Sequence, residues 1–281
     1  MNAYDTQIFT SCKDPNERTN KLNNDLENIC EWLTANKLQF HPSKTKSIFI
    51  GFSYNLAKLD QCSVFINNTE VTRVKSQKCL GIEIDDKLNW GNHIDKFCKK
   101  AGPGIGAIRR LKPFVPRESL ETMYKALGQP YFDYCSPLWD TCGKTLKDKM
   151  QRFQNHAARV ITGAKYEVRS TEIMEKLNWP SLETRCRRAK SIFMYKILND
   201  QAANHLKKDF KMAIDSDKRC DLRNIETNLA LPRPRTNFLK SSFQYSGAML
   251  WNSLPMEAKL SRTLPEFKKV IQTVFPSEGL S

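Results

Sequence analysis

No stretch of about 18 apolar residues occurs in the 281-residue chain, so the sequence offers no membrane-spanning helix. The first residues lack a basic cluster followed by an apolar run, and no secretory leader is expected. Cys-x-x-Cys pairs are absent as well. The nine cysteines are an odd number scattered from Cys12 to Cys220, which fits reduced thiols in an intracellular protein, nucleus and cytoplasm being left undistinguished. Cys135, Cys142 and His156 are too loosely spaced for a zinc site and have no apparent fourth ligand, so no metal site is expected there. Histidine is scarce. Of the four, His41, His93 and His205 have no acid, nucleophile or metal partner nearby in sequence and read as structural or surface residues.

Acidic residues are scarce in one part of the chain only. Residues 1–88 carry 11 basic and 11 acidic side chains, so the whole excess of +15 falls in residues 89–281, with 34 against 19. That second region has the electrostatic character of a polyanion binder, although basic helices can also be merely solvated. Apolar residues at 40% and charged residues at 27% give a globular balance with one or two domains.

The first region mixes strand and helix signals. Gln7–Thr10 reads as one arm of a hairpin. Asp14-Pro15 then offers an N-cap followed by proline at the first helical position, and Leu22, Leu26, Ile29, Cys30 and Leu33 fall on one helical face. The apolar run Ser47–Gly51 reads as a strand. Val64–Val71 reads as a short hairpin turning on Asn67-Asn68, which tolerate positive φ.

From Trp90 the period becomes helical. Ile94, Phe97, Ala101, Ile105 and Ile108 mark one helix, either continuous or broken at Gly102-Pro103-Gly104. Leu120, Met123, Tyr124 and Leu127 mark another, and Tyr131–Trp139 is an aromatic-rich connector. A helix over about 146–160 carries Leu146, Met150, Phe153, Ala157 and Val160 inward and stops at Gly163. Its Arg152 and Arg159 are candidate phosphate contacts, Arg159 equally a candidate C-terminal cap. After Trp179-Pro180-Ser181 a further helix buries Leu182, Cys186, Ala189, Phe193 and Ile197, and its Arg185, Arg188 and Lys190 rank first as phosphate-contact candidates, a solvated face being the alternative. Residues 201–234 read as a basic linker or loop, and Trp251 anchors a small core before a terminal helix from Pro265.

Several of these segments, taken in order, resemble the reverse transcriptases of non-LTR retrotransposons of the jockey type. Asn2-Ala3-Tyr4-Asp5, followed by Thr6-Gln7, stands where that family has aromatic-Ala-Asp-Asp and often Thr-Gln. Trp32, Asn36-Lys37-Leu38 and the turn leading through Lys44-Thr45 to Ser47–Gly51 resemble a later palm segment. Cys79-Leu80-Gly81 resembles the primer-grip strand, with Cys79 at the usual aromatic position. Asn155–Gly163 and Trp251–Lys269 resemble downstream motifs, so the anchors span nearly the whole chain.

The resemblance implies an α+β chain: a truncated antiparallel palm sheet with one packing helix over residues 1–88, then a mainly α-helical, basic thumb-like and downstream region over 89–200. The linker at 201–234 and a small element with a terminal helix at 235–281 would follow. It implies that Asp5 is a vestige of the catalytic turn and that Lys44 matches the lysine thought to protonate departing pyrophosphate. Gly81 would let the primer backbone approach closely. The intact family uses Mg2+, held by carboxylates that bridge two ions. Here Tyr4, a neutral phenol, replaces one of them and no upstream strand precedes the turn, so no cofactor and no polymerase activity are expected. RNA or DNA bound nonspecifically through phosphates is the expected partner. A decayed or mispredicted transposon product, a protein-interaction module and a protein whose true start lies upstream are the alternatives.

Overall fold

A computed structural model describes residues 6–11, 14–38, 41, 44–57, 59, 62–215 and 226–277. The chain divides into two compact units, Met1–His93 and Ile94–Ser281. Helix and antiparallel sheet are both present, as an α+β chain requires, and no helix among the described residues is long and apolar enough to cross a membrane.

In the first unit α1 spans Pro15–Ala35. The Asp14 carboxylate caps its start by accepting the Glu17 N–H at 3.1 Å, satisfying one of the orphan donors every helix start carries. Its end is closed by Lys37 in the left-handed region (φ 55°), with Leu38 N–H reaching back to the Leu33 carbonyl at 2.8 Å. Leu26 and Cys30 face a small core with Phe49, Leu59, Val64, Ile66 and Val71. A one-turn helix α2, Ser53–Leu56, adds Leu56 to it.

β1 (Phe65–Ile66) and β2 (Thr69–Glu70) pair antiparallel around Asn67-Asn68, both at positive φ as a two-residue hairpin of this hand demands. Asn23 of α1 docks this hairpin: its Oδ1 accepts the Phe65 N–H at 3.0 Å. β3 (Ser76–Cys79) and β4 (Ile82–Asp85) form a second, separate two-stranded sheet.

Two expected strands do not form. Among the described residues Gln7–Thr10 has no strand pairing, and Ser47–Gly51 is tied only near its ends, Ser47 to Thr72 and Val74 and Gly51 to Asp86. Apolar, β-branched sequence is not enough. A ladder needs a neighbour along its whole length.

α3 runs continuously from Gly91 to Leu111, its residues from Ile94 onward belonging to the second unit. Of the two alternatives at Gly102-Pro103-Gly104 the continuous helix forms, because burial of Ile94, Phe97, Ala101, Ile105 and Ile108 on one side outweighs the single hydrogen bond that Pro103 forfeits. Gly104 has a packing reason. A Cβ there would lie 3.2 Å from Leu127 Cβ, so glycine lets α3 and the end of α4 (Arg117–Leu127) meet closely without crowding.

Short helices α5 (Gln129–Asp133) and α6 (Ser136–Trp139) lead to α7 (Lys144–Thr162), which ends at Gly163 in the left-handed region. Ala157 and Ala158 are fully buried at its crossing with its neighbours. α8 (Ser170–Lys176) and α9 (Leu182–Leu198) follow, and α9 is buried on several sides. After α10 (Asn204–Lys207) and α11 (Asn237–Ser241), α12 (Phe243–Ser253), α13 (Met256–Lys259) and α14 (Leu264–Val274) close on α9. Met194 and Tyr195 of α9 share one core with Trp251, Leu254 and Phe267. Trp251 sits inside it as the sequence implies, its indole N–H donated to the Thr227 carbonyl at 3.0 Å.

Candidate nucleic-acid interface

α9 carries the highest-ranked phosphate candidates, Arg185, Arg188 and Lys190, and each of these three meets a partner within the chain. Ser181 caps the helix by accepting the Thr184 N–H. Arg185 reaches both carboxylate oxygens of Asp133, with Nε 3.0 Å from Oδ1. Such a fork-to-fork pair fixes orientation as well as charge. Arg188 donates from Nε to the Phe275 carbonyl at 2.9 Å, and burial, with the neighbouring Arg185 charge, holds its guanidinium below the ordinary value. Lys190 is buried, its ammonium 2.7 Å from Asp140 Oδ2 and 3.4 Å from Ser246 Oγ.

Arg159 ties down the loop after α7. Its guanidinium donates to the carbonyls of Lys165 (2.7 Å) and Val168 (2.6 Å) and lies 5.6 Å from the Tyr166 ring centroid. Arg152 is exposed and donates only within its own helix, to the Asp148 carbonyl at 3.3 Å. Gly81, with Leu80 before it, makes the tight turn between β3 and β4; both have positive φ, and the glycine is exposed. Lys44 is exposed and its backbone N–H meets the His41 carbonyl. Asp5, Tyr4 and the rest of residues 1–5 lie outside the described residues, as do Phe40, Pro42-Ser43 and Lys218-Arg219.

A second exposed basic surface is one the sequence pattern alone does not single out. With Ile94, Phe97, Ala101, Ile105 and Ile108 inward, the solvent side of α3 carries Lys96, Lys99, Lys100 and Arg110, all exposed, around the small residues Pro103, Gly106 and Ala107. The same period that defines the core stripe defines this one. α7 lies beside it: Lys149 pairs with Asp95 at 2.6 Å and Arg109 donates to His156 Nε2 at 2.9 Å. The hydrogen bond to Asp95 holds the Lys149 amine above its ordinary value. Lys149, Arg152 and His156 stand at i, i+3 and i+7 on one exposed face of α7. Two adjoining helices thus present cations in rows, with Asp95 between them already engaged.

As for a metal, no group of three or more His, Cys, Asp or Glu side chains that could hold an ion occurs among the described residues. Tyr4 and Asp5, which the resemblance places at the catalytic turn, lie outside the described residues.

Neither a family model nor a solved structure matches the chain. Among curated proteins it is similar to the probable RNA-directed DNA polymerase from transposon BS of Drosophila melanogaster, 24% identical over 186 residues, 64% of this chain and 20% of that protein. The probable RNA-directed DNA polymerase from the Drosophila melanogaster transposon X-element is 24% identical over 151 residues, 52% of this chain and 16% of that protein. The RNA-directed DNA polymerase from the Drosophila melanogaster mobile element jockey is 23% identical over 186 residues, 64% of this chain and 20% of that protein. The chain spans about a fifth of the length of these relatives and resembles part of a non-LTR retrotransposon reverse transcriptase.

Proposed function

We propose that this chain is a fragment of a non-LTR retrotransposon RNA-directed DNA polymerase that binds RNA or DNA through phosphate contacts and does not itself polymerise. In this reading the first unit derives from a palm and the second from a thumb with its downstream region. One observation carries the binding: the exposed cations Lys96, Lys99, Lys100 and Arg110 of α3 beside Lys149 and Arg152 of α7. Rows of cations release condensed counterions when they meet phosphates, so affinity should fall linearly with salt on logarithmic axes, by roughly 0.7–0.9 per phosphate neutralised. Fluorescence anisotropy against labelled RNA at several salt concentrations tests it, and a flat, weak titration would refute it.

The loss of polymerisation rests on Tyr4. A phenol cannot bridge two magnesium ions, and electrostatic stabilisation of the transition state is usually the largest catalytic term. Magnesium-dependent primer extension by the purified chain would overturn this part alone.

A second reading, a protein-interaction module, is favoured by the exposure of Phe9, Trp32, Tyr54 and Leu80 on the first unit, large apolar side chains that usually seek cover. Its test is concentration-dependent association in sedimentation velocity, lost when Trp32 and Tyr54 are replaced by serine.

A further inference from the structure

The aromatic connector between α4 and α7 carries none of the phosphate-contact candidates named above. Leu127, Tyr131, Tyr134 and Leu138 nonetheless stand between 37% and 51% exposed within this one short stretch. Tyr131 is anchored: its ring packs edge-on against Phe97 of α3, centroids 5.7 Å apart at 75°. Leu127 is anchored too, since α3 approaches it closely at Gly104. Lys100 lies one helical turn from both Phe97 and Gly104, so the apolar patch borders the basic face of α3. Lys125 of α4 is exposed nearby in sequence, and the two acids of the connector are both paired, Asp133 with Arg185 and Asp140 with Lys190 and Lys147.

A surface of exposed rings bordered by ammonium groups, its acids paired, complements a flat apolar ligand on an anionic backbone. An unpaired nucleic-acid strand has that character, because every base offers a π-face and every linkage a charge. A duplex buries those faces in its own stack and would meet the patch with sugar and phosphate only. We infer that Tyr131 and Tyr134 form a stacking platform for unpaired bases, and that the ligand of this face is single-stranded nucleic acid. The inference rests on the nucleic-acid reading above and narrows it.

Anisotropy titrations with a short fluorescein-labelled oligouridylate and a blunt RNA duplex of equal length, at matched salt, test it. The single strand should bind about tenfold or more tightly than the duplex. Replacing both rings (Tyr131→Leu with Tyr134→Leu) should weaken single-strand binding by about tenfold or more and leave the salt dependence unchanged, whereas Tyr131→Phe with Tyr134→Phe should bind as the parent does. Because Tyr131 also packs on Phe97, thermal unfolding accompanies each variant. Photocrosslinking of iodouridine-substituted RNA to the unaltered chain gives an independent readout, expected at Tyr131 or Tyr134. Equal affinity for strand and duplex, or crosslinks confined to other regions, would overturn the platform and leave phosphate binding standing. Absence of salt-dependent binding to either ligand would instead overturn the parent reading. Self-association through the patch, abolished by the leucine pair, would show a protein occupant and overturn the inference.

Discussion

The Lys190 ammonium sits 2.7 Å from the Asp140 carboxylate, and both side chains are largely withdrawn from water. Asp140 also pairs with Lys147 at 3.1 Å, so one acid engages two cations where α6, α7 and α9 come together. Charge that looks available in the sequence is here a cross-link. The same holds for Arg185 with Asp133 and for Arg188 with the Phe275 carbonyl. The net charge of the second unit is therefore not a measure of its binding surface.

Lys190→Ala should destabilise the second unit by about 3 kcal/mol, the lower end expected for breaking a buried pair, because Lys147 still partners the orphaned Asp140. Lys190→Met should cost less, since it refills the space. Urea denaturation measures both. Nucleic-acid affinity of the remaining folded protein should not change, and a shallower salt dependence in Lys190→Met would contradict the internal assignment.

The opposite pattern is expected on α3. Lys99→Ala with Lys100→Ala removes two exposed cations and should lower the logarithmic salt slope by about 0.7 per cation for a single strand, with unfolding midpoints unchanged. Arg188→Gln, by contrast, should lower stability and leave the slope alone. If Arg188→Gln flattens the slope and the α3 pair does not, phosphate binds at α9 and not at α3.

Much of the local structure was legible in sequence because its causes are local. Asp14-Pro15 starts α1, Asn67-Asn68 turns a hairpin, and Gly163 ends α7; each depends on residues within a turn or two. What was not legible depends on partners far along the chain. Arg185, Lys190 and Arg188 meet groups 52, 50 and 87 residues away, and no helical wheel shows which of its cations will be consumed that way. Ser47–Gly51 reads as a strand for the same reason in reverse: its composition is suitable, but the neighbour a ladder needs is a tertiary fact.

Helix α3 supplies a test of what outweighed the Gly102-Pro103-Gly104 signal. If burial of its apolar face holds the helix against an interior proline, Pro103→Ala should stabilise the second unit, by about 1–3 kcal/mol, because position 103 is exposed and an N–H is restored. Gly104→Val should do the reverse by pressing on Leu127. Thermal unfolding decides both, and an unchanged or lowered midpoint for Pro103→Ala would show that proline is required there.

The buried thiols predict how stability responds to alkali. Burial pushes the Cys142 thiol from an ordinary 9.0 up to about 11, and burial raises the Cys186 thiol as well. For a group whose folded pKa is raised, the protonated form is shared by both states at low pH, so stability is fully present below the unfolded value. As pH climbs past about 9 the unfolded thiols ionise first and draw the equilibrium toward the unfolded chain. Stability should thus be flat, as far as these groups are concerned, through neutral pH and fall between pH 9.0 and about 11, by up to about 3 kcal/mol for Cys142 alone. Urea midpoints measured across that interval should show a smaller fall in Cys142→Ala than in the parent. At neutral pH iodoacetamide should label Cys142 and Cys186 only at the rate of unfolding, since the thiolate is the nucleophile and burial keeps both thiols protonated there; rapid labelling of the folded protein at neutral pH would show that these sulfurs are not enclosed.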